Sequence, residues 1–580
     1  MSKVFEFMIP YVGMLLCAAV LFFVEAYCAL ILPGYMADIV NYGVMIGNIP
    51  LIWDTGVTML LVTLLGVAAA LAAGYFTART ATGVANDLRE AVFRKVLGFS
   101  NAEVNRFATS SLITRTTNDI MQVQLVIMMA IRQFLYAPML GIGGLIRAFD
   151  RSPSMTWIIF VATACMVIAM AVLFIIAMPK YALVQKLIDR LNLVSRENLS
   201  GILIVRAFNT QIFEKKRFDK ANKDLAETNL FVAQAFAFLV PGIMLIFNLT
   251  IVAIVWAGAR EVSAFRMEIG DIFAFLQYGM LIIFAFLMVA IMIVLLPRAV
   301  VSAGRIREVL ETESSLQYKK DPVRFTTDFK GIIEFKNVSF RYPDASEDDD
   351  NVLDGISFIA PPGKTTAIIG STGAGKSTIL KLILRFYDVT GGAVCVDGID
   401  IRDIHKQDLH GKIGYIPQKA LLFSGTLRSN LSYADRNASE DRIHEAADIA
   451  QAKDFIQEKP DTYESNVAQG GLNFSGGQRQ RISIARALVK NAPIYLFDDS
   501  FSALDLKTDS LLRAALKEKT GGSTMLIVAQ RISTIMDADQ IVVLDNGKIA
   551  GLGTHRKLMK TCEIYREIAA SQLSEEEVGK

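Results

Sequence analysis

The chain has 580 residues, 53% of them hydrophobic and only 20% charged, which is too apolar for an ordinary soluble protein and long enough for two or more domains. A formal net charge of +2 names no partner, and the basic residues sit beside apolar stretches, where membrane orientation explains them; nucleic-acid binding finds no support. The five cysteines, Cys17, Cys28, Cys165, Cys395 and Cys562, are scattered without metal-ligand spacing and imply neither a disulfide framework nor a zinc site.

In chain order, the first apolar stretch runs from Ile9 to Leu32, interrupted only by Glu25. No small-residue cleavage site follows it, so it reads as a retained span. Thr55 to Ala78, Met155 to Met178, Thr228 to Ala259 and Ile272 to Pro297 contain no Asp, Glu, Lys or Arg, and each exceeds the roughly 20 residues needed to cross a bilayer. Val126 to Leu145, interrupted only by Arg132, completes six spans. The connection Pro33 to Asp54 has no Lys or Arg, whereas Arg79 to Ile131 has six and Lys180 to Glu227 has ten. Positive residues stay on the cytoplasmic side, which predicts both long connections and both termini there. Arg147, Arg151, Arg260 and Arg266, in short outer loops, weaken that bias slightly.

Composition changes near residue 300. Arg298 to Leu310 continues as a helix, Glu311 to Lys330 is a polar linker with Pro322, and from Gly331 onward short β-branched runs alternate with helical ones. The expected fold class is therefore multi-domain: an all-α membrane domain of six transmembrane helices over 1–310, a linker over 311–330, and a cytoplasmic α/β domain over 331–580, which the Gly370 to Ser377 motif makes a P-loop nucleotide-binding domain.

Gly370-Ser371-Thr372-Gly373-Ala374-Gly375-Lys376-Ser377 fits G-x-x-x-x-G-K-[ST], between a strand-like Thr365 to Ile369 and a helical stretch beginning at Thr378. Its glycines let backbone N–H groups wrap phosphates, Lys376 suits the β- and γ-phosphates of ATP, and Ser377 suits Mg²⁺. Ile494 to Phe497 reads as an apolar strand ending in Asp498, whose carboxylate can hold Mg²⁺ through water.

Between these lies Asn473-Phe474-Ser475-Gly476-Gly477-Gln478-Arg479-Gln480-Arg481, which closely resembles the signature sequence of ATP-binding cassette transporters, with Phe474 in place of the usual leucine. The resemblance implies that Phe474 to Gln478 caps ATP bound to the other domain of a head-to-tail pair. It likewise implies that Tyr342 stacks on adenine. Gln418, in Tyr415-Ile416-Pro417-Gln418, would reach Mg²⁺ and the attacking water, and Asp505, in Ser502-Ala503-Leu504-Asp505, would lie in the loop crossing between paired domains. Six spans with long cytoplasmic extensions also resemble one half of an exporter of this family, so the resemblance covers essentially the whole chain.

Two positions depart from it. The family places glutamate after the Mg²⁺-binding aspartate, and here stands Asp499, one methylene shorter; a general base must stand within hydrogen-bond reach of its water. The family places histidine where Gln530 stands, and glutamine cannot carry positive charge toward the transition state. Val467-Ala468-Gln469-Gly470-Gly471 also lacks the glutamate and arginine often found before the signature. Three explanations compete. A deliberately made ATP trap fits two different substitutions poorly. A slow homodimer would contain two weakened sites. A heterodimer would contain one degenerate site and one competent site on a second half-transporter, as in bacterial multidrug exporters of the family, whose place is the bacterial cytoplasmic membrane. A regulatory ATP-binding membrane subunit is the reading from another functional class.

Ser100 to Thr109 and Ile204 to Phe213 are placed to transmit nucleotide-domain motion, and Gly201 to Phe208 resembles the region before the family's second coupling helix, which docks on the partner. An amphipathic cytoplasmic helix explains the same composition. For substrate, a small amphipathic compound is expected from the resemblance. Glu25 could receive a cation or make an internal pair, and its depth differs from that of Arg132 by several residues, so the two are not expected to meet. Phe273, Phe275, Tyr278, Phe284, Phe286 and nearby methionines could form an adaptable apolar pocket or ordinary packing.

Overall fold

The computed structural model describes residues 2–319, 321–345 and 350–572. The chain folds into two compact units, Met1–Leu97 with Ser110–Thr312, and Gly98–Thr109 with Glu313–Lys580.

The first unit is helical. Its elements are α1 (Val12–Asp38), α2 (Ile49–Leu97), α3 (Ile120–Arg151), α4 (Pro153–Ser200), the short α5 (Ile202–Ala207), α6 (Gln211–Ala237), α7 (Leu239–Ser263) and α8 (Ile269–Glu311). Among the described residues, six helices are long and apolar enough to cross a membrane. The fifth begins later than the sequence suggests, with α7 at Leu239 and not at Thr228. The apolar residues before it belong to α6, and the break at Phe238 places Pro241 in the first turn of α7, where a missing N–H leaves no hydrogen bond unmade. Small residues let these helices approach closely: a side chain on Gly144 of α3 would lie 2.8 Å from Ile282 of α8. At one end of the bundle Arg151 joins three helices, reaching Asp38 at 3.2 Å and Asp271 at 3.1 Å.

The structure corrects one expectation here. Glu25 of α1 and Arg132 of α3 do meet, at 3.5 Å. Counting residues along two helices assumes parallel axes, and two long side chains bridge the remaining offset.

The second unit carries two main sheets. The antiparallel one, in order β2-β1-β4-β5, is built from β1 (Ile333–Phe340), β2 (Leu353–Ala360), β4 (Gly391–Val396) and β5 (Ile399–Asp400). The other, in order β12-β11-β3-β10-β9-β6, comprises β3 (Thr365–Gly370), β6 (Ile413–Ile416), β9 (Ile494–Asp498), β10 (Thr524–Val528), β11 (Gln540–Asp545) and β12 (Lys548–Gly553). Its strands are parallel except for the edge strand β12. A two-residue ribbon joins β7 (Gly425–Thr426) to β8 (Asn466–Val467). The central strands are continuous apolar runs, such as Thr524–Val528, because both faces are covered. The helices that matter below are α9 (Lys376–Ile383), α10 (Gly476–Val489), α11 (Leu506–Lys519) and α12 (Glu563–Ala570).

Residues 98–109, which follow α2, belong to this unit. Its helix Asn101–Phe107 starts at Ser100 with a reciprocal cap, Glu103 accepting from the Ser100 N–H at 2.7 Å. Glu103 also accepts from the Ser315 N–H at 3.0 Å, and Asn105 donates to the Tyr387 hydroxyl at 3.4 Å. Burial works to raise the Glu103 pKa, but the hydrogen bonds from Ser100 and Ser315 outweigh it and hold this carboxyl below its ordinary value.

Candidate functional site

A parallel sheet presents its binding crevice beyond the carboxyl ends of its strands. With the order β3-β10-β9-β6, four loops emerge there side by side: the phosphate loop after β3, Gln530 after β10, Asp498 and Asp499 at the end of β9, and Gln418 after β6. The strands lock this arrangement, since Val528 is level with both Ile368 and Asp498.

Gly373 and Gly375 take φ of 87° and 91°, values open to glycine, and a side chain at Gly373 would meet nothing within 4 Å, so this stretch of backbone faces open space. Lys376 folds back over the loop, donating to the carbonyls of Gly370 at 2.9 Å and Ser371 at 2.7 Å. Ser377 donates to Asp498 at 2.5 Å, and Thr378 meets the Tyr342 hydroxyl at 3.1 Å. Tyr342 packs edge-on against Phe340 and Tyr387, with Lys381 over its ring. Burial pushes the Lys376 ammonium below its ordinary range, against the pull of Asp499 and Asp498; burial pushes Asp498 up despite the Ser377 hydrogen bond. A half-buried ammonium beside the open backbone at Gly373, and a half-buried hydroxyl on a buried carboxylate, form a ligand set that fits a polyphosphate and a divalent cation.

Asp499 sits at the centre. Its backbone is left-handed, with φ of 49°, and its N–H donates to Val528 O at 3.0 Å. One carboxylate oxygen, Oδ2, accepts from Gln530 Nε2 at 2.7 Å and from Gln418 Nε2 at 3.2 Å. Burial pushes its pKa up, opposed by hydrogen bonds from Gln418 and Ser502 and by the charges of Lys376 and Arg531. The two positions that depart from the family's pattern are thus bonded to each other.

The remaining residues singled out in the sequence form a second group on two helix N-termini. Ser475 and Gln478 cap α10 reciprocally, with Ser475 N to Gln478 Oε1 at 3.0 Å and Gln478 N to Ser475 Oγ at 3.2 Å. Asp505 caps α11, accepting from the Thr508 N–H at 3.0 Å, which lowers its pKa. Gly476 has open space where a side chain would stand, and Gly477 faces Ala503 O. Phe474 turns inward: its side chain is 4% exposed in the core, with Lys459 over the ring, so anything it offers a nucleotide comes from its backbone.

Sequence reasoning missed Gln572. From beyond α12 its amide grips the turn after β10 at both sides, accepting from Ile532 N at 2.9 Å and donating to Gln530 O at 2.8 Å. A lone glutamine after an amphipathic helix carries no signal that could have revealed this.

Family models described as ABC transporter transmembrane region and ABC transporter match residues 15–287 and 353–502. The chain is 41% identical over 574 residues to an uncharacterized ABC transporter ATP-binding protein of Mycobacterium tuberculosis, covering 98% of each. It is 30% identical over 514 residues to the ATP-dependent lipid A-core flippase of Pseudomonas aeruginosa, covering 87% of this chain and 82% of that protein. Its fold matches a bacterial Atm1-family ABC exporter solved with ATP bound, with a TM-score of 0.77 at 24% identity over 98% of this chain and 99% of the other. With helices long and apolar enough to cross a membrane on one unit and a phosphate loop at the carboxyl edge of a parallel sheet on the other, the chain belongs to the ABC transporters, in the half-transporter arrangement of one transmembrane region and one ATP-binding domain.

Proposed function

We propose that this half-transporter holds ATP at a degenerate site of its own and completes a competent site on a different half-transporter, and that the pair exports small amphipathic compounds. Lys376 and the backbone from Gly373 to Ser377 hold the phosphates, with Tyr342 against adenine. Ser377, Asp498 and Gln418 hold Mg²⁺, which when bound supplies Lewis-acid polarisation and charge neutralisation. The observation that carries the reading is the shared oxygen of Asp499. Gln530 and Gln418 both donate to Oδ2, so the carboxylate is held by two neutral amides where a general base would reach a water. Gln530 spends its donor on Asp499 and brings no charge to the developing transition state.

The other half of the reading rests on what the chain offers a partner. The well-formed cap at Ser475 leaves the α10 N-terminus and the Gly476 backbone open toward an anion. Around α5, Leu203, Ile204, Phe208, Ile212 and Phe213 are exposed, Phe208 by 75%, an apolar turn suited to a partner's surface. The flippase relative favours lipid-like amphipaths as cargo. A slow homodimer is the second reading, favoured by the retention of a carboxylate at Asp499.

ATP turnover by the purified chain alone decides between them. A rate near background, rising when the second half-transporter is added and insensitive to Asp499→Asn, is expected. A rate comparable to symmetric exporters that Asp499→Asn abolishes would overturn the degenerate-site reading.

A further inference from the structure

Ionisable side chains at membrane depth are costly, and where they occur they mark function. Glu25 lies thirteen residues from each end of α1, the middle of the helix. Arg132 lies twelve residues into α3, about 18 Å along its axis. Their contact is a single one, Arg132 Nη2 to Glu25 Oε1 at 3.5 Å, long and far from the bidentate fork that would use the guanidinium fully.

The two charges are not equally accessible. The Glu25 side chain is 11% exposed, and its second oxygen, Oε2, is buried without a hydrogen-bond partner among the described residues. The Arg132 side chain is 50% exposed, its guanidinium carbon 5.6 Å from the centre of the Tyr136 ring. Tyr136 is itself buried against Phe22. Glutamate and tyrosine therefore back the arginine on its buried side, while half of the arginine side chain stays exposed. The sequence left Glu25 open as a receptor for a cation or as half of an internal pair; the geometry gives the pair, and the charge within reach is positive.

The surface beside it is apolar. Met128 and Leu125 lie four and seven residues before Arg132, one and two helical turns along the same face of α3, and both side chains are exposed. A half-exposed cation at the end of an apolar track matches a molecule with an acceptor-rich anionic head and an alkyl chain.

We propose that Arg132, backed by Glu25 and Tyr136, is a binding site for the anionic headgroup of an amphipath, a phosphate, sulfate or carboxylate on an alkyl chain that lies along Met128 and Leu125. The site deepens the reading of the chain as half of an amphipath exporter and rests on it for the fate of the ligand. The ligand's chemistry is common to transported cargo and to an acidic lipid of the bilayer.

The test is equilibrium binding to the full-length chain in phosphatidylcholine nanodiscs, with its partner where one copurifies. Dodecyl phosphate and dodecyltrimethylammonium are the two probes. The wild-type chain is expected to bind the phosphate at least tenfold more tightly than the ammonium. Arg132→Gln is expected to remove that preference, Arg132→Lys to keep much of it, and Glu25→Gln to keep or strengthen it. Because Arg132→Gln leaves a buried carboxylate alone and can misfold, the uncharged pair Glu25→Gln with Arg132→Gln is the second variant, its folding checked by ATP binding. A preference for the ammonium that Glu25→Gln abolishes, or a phosphate preference that survives in the folded double variant, overturns the proposal. Competition by added phosphatidylglycerol identifies a bilayer lipid as the occupant, and ATP-dependent transfer of dodecyl phosphate into vesicles identifies cargo; each supports the anionic site. Binding needs neither hydrolysis nor a particular partner, so the site can fail while the exporter pair stands, and the pair can fail while the site stands.

Discussion

Gln530 donates to Asp499 Oδ2 at 2.7 Å, across the gap between neighbouring strands β10 and β9. The two residues that set this chain apart from the common pattern of its family form one unit, with Gln418 as the third member on the same oxygen. A residue pair in direct contact is expected to respond to substitution non-additively.

Restoring both positions should therefore do more than restoring either. The double variant Asp499→Glu with Gln530→His is expected to raise ATP turnover at this chain's own site by on the order of tenfold to a hundredfold, since about an ångström of misplacement costs that much. Each single variant is expected to recover a small part of the gain. Single-turnover hydrolysis, with the partner's own site inactivated, measures it.

Gln572 clamps the turn that carries Gln530. Replacing it with alanine removes two hydrogen bonds, together worth about 1 to 2 kcal/mol of local opening free energy, roughly five- to thirtyfold in exchange rate. Faster hydrogen exchange at the Ile532 amide, with global stability unchanged, is the expected result.

Glu103 gives the docked helix Asn101–Phe107 a pH dependence. Its folded pKa lies below the ordinary value of 4.5, so ionised Glu103 stabilises the docked helix above that value, and the contribution is lost as pH falls through the depressed folded value. Glu103→Gln is expected to loosen residues 98–109 near neutrality, measured by protease sensitivity. The difference between the variant and the wild-type protein should shrink as pH falls below 4.5.

Phe474 is the signature's unusual residue, yet its side chain belongs to the core. Phe474→Leu, which brings the family's usual residue, is expected to leave partner-stimulated turnover unchanged and to cost less than about 1.5 kcal/mol. Phe474→Ala is expected to cost about 3 to 5 kcal/mol, seen in denaturant unfolding.

Much of this was legible in the sequence because it rests on local rules. Charge-free runs longer than a bilayer marked the spans, and the glycines and lysine of 370–376 marked the phosphate loop by chemistry that admits few alternatives. What escaped depended on residues distant in sequence. Glu25 and Arg132 meet across two helices, Gln572 reaches back 42 positions to Gln530, and the inward turn of Phe474 depends on the core around it. The late start of α7 had a local signal, Pro241 in its first turn, masked by the uncharged residues 228–240 before it.

The left-handed backbone at Asp499 also limits what can replace it. Aspartate tolerates φ of 49° better than a longer side chain does, so the turn accommodates the shorter carboxylate best. Asp499→Glu strains the turn, and a substitution of Gln530 alone removes the amide that Asp499 holds.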